Sequence, residues 1–130
     1  MNVRRTVLAA LTAMAACAIM PSTALASSAA PFVRIAELDI DPVHLVAFHA
    51  AVRESIETSV RVEPDVLALY AVADKERPTH ITVFEIYTSA AAYDRHRETP
   101  HFRKFFTTTQ AMVLQRRLID TTPIAMQSKP

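Results

Sequence analysis

Hydrophobic positions along the chain change period several times, and each change marks an element. From Phe32 to Ile40 apolar and charged residues mix, with Val33 and Ile35 on one side and Leu38 and Ile40 on the other. That predicts a strand with both faces partly covered. Asp41-Pro42 follows, an N-cap residue and then proline at the first helical position. The stripe Leu45, Phe48, Val52, Ile56 predicts an amphipathic helix to about Val60. Ile40 and Leu45 flank its start as a hydrophobic staple. Glu63-Pro64-Asp65 ends it, because proline disfavours helical geometry in the residue before it.

Val66 to Ala73 is an almost continuous apolar run containing Tyr70, the pattern of a strand covered on both faces. After the charged connection Asp74 to Pro78, Ile81 to Thr88 resumes strand character. Ile81, Val83, Glu85 and Tyr87 lie on one side, Phe84 and Ile86 on the other. The two runs read as an antiparallel hairpin. Ser89 caps a short helix to about Glu98, and Thr99-Pro100 opens another with the stripe Phe102, Phe105, Phe106, Thr109, Met112, Val113. Leu118 to Ile124 is expected as a last strand, at an edge because Pro123 cannot donate a ladder hydrogen bond. The order β-α-β-β-α-α-β predicts an α+β fold: a ferredoxin-like, four-stranded antiparallel sheet with helices on one face. Apolar residues on the other face call for a second copy of the sheet, hence a homodimer.

The first residues of the 130 stand apart from this pattern. Arg4-Arg5 precedes an almost charge-free apolar run, Thr6 to Met20, and Ala24-Leu25-Ala26 is an A-x-A cleavage signal. Residues 1–26 are therefore expected to be a signal peptide cut after Ala26, giving an exported, periplasmic or secreted protein. Residues 27–31 form a flexible lead-in, 32–125 the domain and 126–130 a tail. The alternative is a lipoprotein anchored at Cys17, since Met14-Ala15-Ala16-Cys17 is close to a lipobox. Cleavage takes the formal charge from +1 to −1 by removing Arg4 and Arg5, and it also removes the single cysteine. A near-neutral, cysteine-free domain has no electrostatic reason to bind nucleic acid, and it has no disulfide or thiolate nucleophile. With 0 glycines there is no P-loop and no dinucleotide fingerprint.

Phe84-Glu85-Ile86-Tyr87, then Ala92-Tyr93, His96 and Thr99-Pro100-His101-Phe102, together resemble the signature of the antibiotic biosynthesis monooxygenase family. Glu63-Pro64 with Val66, Leu67 and Tyr70 resembles that family's E-P-G-V-L-x-Y stretch, with Asp65 in place of the glycine. The resemblance implies a dimeric α+β barrel with a small-molecule pocket between sheet and helices. It also implies oxidation of quinols or phenols by dioxygen without metal, flavin or nicotinamide. The haem-degrading branch is disfavoured, because Tyr87 and Phe106 stand where it uses tryptophan and histidine. The alternatives on the same fold are a non-oxidative isomerase or lyase of the autoinducer-processing type, or a non-catalytic periplasmic binding dimer.

Cofactor-free oxygenation requires a base near the working pH, donors for the resulting anion and a cavity without bulk water. Histidine suits the first role. His96 and His101, on the signature and on either side of a helix break, are the candidate catalytic residues; local hydrogen bonding and surface exposure are the ordinary alternatives. Tyr70, Glu85, Tyr87 and His49 are candidates for the substrate pocket. Packing accounts equally for the tyrosines, a partner arginine for Glu85, and solvent exposure for His49. Phe102, Phe105 and Phe106 are explained as core by their spacing. His44 and His80 carry no assigned role, and no metal site is expected.

Overall fold

A computed structural model describes residues 30–130; the expected signal peptide, and Cys17 with it, lies outside the described residues. Strand β1 spans Phe32–Ile40 and leads through a 3-10 turn, Pro42–His44, into helix α1, Leu45–Val62. Asp41 closes that turn, its Oδ1 accepting from the Val43 amide at 3.0 Å. Phe48 and Val52 of the expected stripe are buried, with Leu45 and Ile56 partly so. Ser55 and Ser59 continue the buried face, where small side chains let the helix sit close to its neighbours.

Strands β2, Val66–Ala73, and β3, His80–Tyr87, form the predicted hairpin. The Asp74 carboxylate holds its loop by accepting from the amides of Glu76 at 2.8 Å and Arg77 at 3.3 Å. Helix α2, Ala90–Glu98, is capped by Ser89 Oγ, and α3, Pro100–Thr109, by Thr99 Oγ1. A 3-10 turn, Gln110–Met112, then enters strand β4, Val113–Asp120. The sheet order is β2-β3-β1-β4 and every pairing is antiparallel, the α+β ferredoxin-like arrangement.

One boundary differs from the sequence expectation. The last strand occupies Val113–Asp120 and not Leu118 to Ile124, so Met112 and Val113 leave the helical stripe. Gln115-Arg116-Arg117 lacks the apolar alternation that marks a strand. Its place is set by ladder pairing with β1, and charge pairs accompany it across the strands. Arg117 stands opposite Glu37 and bonds it at 3.1 Å, and Arg34 stands opposite Asp120 and bonds it at 2.9 Å.

The main core lies between the sheet and the helices, with Ala36, Leu38, Ile40, Ile81 and Val83 packed against Phe48 and Val52. A second cluster joins Val66, Leu69, Tyr87, Ala92 and Tyr93 at the α2 end. The opposite face of the sheet carries exposed apolar residues, Tyr70 at 62% and Val72 at 61%, beside the Arg117–Glu37 and His80–Asp39 pairs. Among the described residues no backbone φ is positive, and no helix is long and apolar enough to cross a membrane.

Candidate active site

A cavity of about 460 Å³ lies between the sheet and helices α1 and α3. Ala36, Leu38, Leu69 and Val83 form its sheet side, and Phe48, Val52, Phe102 and Phe105 its helix side. Among the polar groups on this lining are Glu85, Tyr87 and His96. A few placed polar groups in a mostly hydrophobic hollow are the usual composition of a small-molecule site.

Glu85 and Tyr87 share the helix-facing side of β3 because they are two residues apart on a strand. The Tyr87 hydroxyl donates to Glu85 Oε2 at 2.8 Å. Burial pushes the Tyr87 phenol far above its ordinary range, reinforced by the neighbouring Glu85 carboxylate. Tyr87 is therefore a neutral hydrogen-bond donor at any physiological pH. Burial also raises Glu85; the Tyr87 hydrogen bond and the positive charge of Arg34 oppose the shift without cancelling it.

His96 is placed by the break between α2 and α3. Thr99 makes the elbow: its Oγ1 donates to the His96 carbonyl at 2.7 Å and accepts from the Phe102 amide at 3.3 Å. The elbow brings His96, in the last turn of α2, and His101, in the first turn of α3, to one carboxylate. Glu63 Oε1 lies 2.9 Å from His96 Nδ1 and 2.5 Å from His101 Nε2. A carboxylate has only acceptors to offer, so both hydrogen bonds require the proton on those two nitrogens. In neutral His96 this leaves Nε2 as the lone-pair nitrogen, and Nε2 has no protein partner among the described residues. The ring sits 5.3 Å from Tyr87 and 4.8 Å, edge on, from Phe102. Burial lowers the His96 pKa below the ordinary imidazole value; Glu63 pulls it back up and His101 pushes it down again.

Glu63, His96 and His101 are also the described side chains best placed to hold a metal ion, their ligand atoms lying within 4.8 Å of one another. A zinc ion at about 2.0–2.1 Å from each ligand would hold tetrahedral ligand atoms about 3.3 Å apart. The carboxylate–imidazole separations of 2.5 and 2.9 Å are shorter and match hydrogen bonds.

Of the residues expected at the site, His96, Glu85 and Tyr87 meet at the cavity. His101 lies behind Glu63, beside a small surface depression with Ser55, Thr58 and Lys104. Tyr70 and His49, expected in the pocket from sequence, do not line this cavity. Tyr70 alternates with Leu69 and Ala71 and so faces away from the helices, opposite Phe84. His49 follows the buried Phe48 by one residue, about 100° around the helix, and is exposed. Both line a separate open groove between α1 and the edge strand β2. His80 bonds Asp39 at 2.7 Å, away from the cavity. Sequence reasoning missed Glu63 as a site residue and read it only as a helix stop. Its place in the E-P stretch beside the histidine signature was the one available signal.

No match is found among curated protein sequences. Solved structures do match. One from Bacteroides thetaiotaomicron VPI-5482, named for an antibiotic biosynthesis monooxygenase, shares 48% identity over 77% of this chain and 95% of that one, with a TM-score of 0.74. A Lactobacillus acidophilus NCFM structure, named for a monooxygenase, shares 25% identity over 68% of this chain and 42% of that longer one, at TM-score 0.66. A Pseudomonas aeruginosa protein shares the fold at 23% identity and TM-score 0.69, over 75% of this chain and 98% of its own. These relationships support a monooxygenase-like function in general terms. With the antibiotic biosynthesis monooxygenase model matching residues 31–108, the chain belongs to that family.

Proposed function

We propose that this protein is a cofactor-independent monooxygenase that oxidises a quinol-like or phenolic small molecule with dioxygen. The observation that carries the reading is His96, held by Glu63 through Nδ1 in the wall of the apolar cavity, with Nε2 free to take a proton. A substrate hydroxyl gives its proton to Nε2, and Glu63 stabilises the imidazolium that forms. The electron-rich ring carbon then adds to dioxygen, giving a hydroperoxide. The hydroperoxide's proton is the one returned by His96. Loss of the hydrogen on that carbon then breaks the O–O bond and expels hydroxide, which leaves with that proton as water, and a carbonyl remains on the carbon. One oxygen atom enters the product, the other leaves as water, and the substrate supplies all the electrons. Tyr87 keeps Glu85 in place for a second substrate oxygen, and the apolar lining dissolves dioxygen and excludes water.

The uncovered apolar sheet face supports a homodimer built by packing two such faces together, and the sequence of residues 1–26 supports export. The test is oxygen uptake by the purified protein with a panel of reduced quinones and polyphenols. Uptake should exceed autoxidation, and His96→Ala should lower kcat by about 10²–10⁴-fold. Turnover that continues without oxygen would instead indicate an isomerase or lyase. No uptake above autoxidation across the panel would refute the reading.

A further inference from the structure

Three guanidinium groups reach the cavity wall: Arg97 from α2, Arg103 from α3 and Arg116 from β4. Two have carboxylate partners. Arg97 lies 3.5 Å from Asp94, and Arg103 bonds Glu98. Arg116 has no ion pair among the described residues and lies over the Phe106 ring, 5.0 Å from its centroid.

From that cation a line of rings runs inward. Phe106 stacks on Phe102 at 6.4 Å and 22°, and Phe102 meets His96 at 4.8 Å. Two near-parallel rings between a guanidinium and an imidazole make a lane for a flat aromatic molecule. The acidic groups facing the cavity, Glu85 and Glu98, are both engaged, Glu85 by Tyr87 and Glu98 by Arg103. The uncompensated charge at the lane's outer end is therefore positive.

We propose that the substrate is a planar aromatic acid, its carboxylate or sulfonate held at Arg116 and its oxidisable hydroxyl directed at His96. The hydroxyl end rests on the function proposed above; the acid end rests on Arg116 alone. Guanidinium suits this role because its planar fork matches an oxyanion with two parallel hydrogen bonds.

Fluorescence titration with 1-anilinonaphthalene-8-sulfonate and its uncharged parent, N-phenyl-1-naphthylamine, tests it without turnover. Arg116→Gln should weaken sulfonate binding about tenfold and leave the parent within about twofold. The parent's unchanged affinity reports that the cavity is intact. Arg116→Lys should restore part of the sulfonate affinity, and Arg117→Gln, altering the opposite face where Arg117 pairs with Glu37, should change neither probe. Equal losses for both probes in Arg116→Gln, no loss for either, or the same sulfonate loss in Arg117→Gln would overturn the assignment. Failure here leaves oxidation of neutral quinols standing. Failure of oxygen uptake leaves the anion site standing.

Discussion

Replacing Glu63 by glutamine removes one negative charge from the centre of the His96–Glu63–His101 set and keeps its shape. The carboxylate accepts from both imidazoles, and all three side chains are largely buried, 5% exposed at His96, 13% at Glu63 and 19% at His101. A hydrogen bond to a charged partner in such a setting contributes about 1.5–3 kcal/mol. The amide oxygen of the substituted side chain still accepts, so what is lost is the extra attraction for His96 in its protonated form. That form exists only after proton abstraction, so kcat should fall about 10- to 100-fold, at about 1.4 kcal/mol per decade. The same substitution moves the His96 pKa in a fixed direction. Burial already depresses it below 6.5 and Glu63 is the group opposing that shift, so the variant should titrate lower still.

The stability consequence has the same sign. A histidine with a depressed folded-state pKa contributes stability that is present above 6.5 and lost as pH falls through its folded value. Glu63→Gln should therefore cost more stability at acid pH than at pH of about 8. Imidazole nitrogen NMR measures both claims directly: in the wild type Nδ1 should carry the proton and Nε2 should not, with a midpoint below 6.5 that drops in the variant. A His96 midpoint that rises or stays fixed in Glu63→Gln would show that the carboxylate does not control this ring.

Tyr87→Phe strips the buried Glu85 of its donor and should cost about 1–3 kcal/mol, or roughly 4–8 °C of Tm per kcal/mol in a domain of this size. Because Glu85 already holds its proton above 4.5, stability should decline as pH rises from there, and more steeply in the variant; an unchanged thermal melt across that range would contradict the pairing. Tyr70→Glu puts a charge on the uncovered sheet face and should convert the proposed dimer to single subunits by sedimentation. A wild-type protein that already sediments as one subunit at low micromolar concentration would remove the proposed dimer.

Most elements were legible because local chemistry marks their ends. Asp41-Pro42, Ser89 and Thr99-Pro100 each supply a capping side chain, and each cap is formed. The start of β4 was not legible, since Gln115-Arg116-Arg117 interrupts its own apolar period and its register is set by pairing with β1. The facing of Tyr70 was hidden for a different reason. In a run that is apolar throughout, alternation cannot say which side meets the helices, and an irregularity between Val66 and Ala68 shifts the phase. His96 stood out through its motif. Glu63, 33 and 38 residues away from the two histidines it joins, could be connected to them only by the packing of three helix ends.

The described backbone holds no residue in the left-handed region, and the whole chain has no glycine to occupy one. Its loops are thus shaped only by conformations open to any side chain with a β-carbon. Every unfolded residue also samples fewer states than glycine would, an advantage of about 0.4–1 kcal/mol per site relative to a glycine-bearing relative. Side chains around the cavity mouth can therefore be exchanged without forcing the main chain into disallowed angles. A scaffold of this kind can change what it accepts by altering its lining while its loops keep their course.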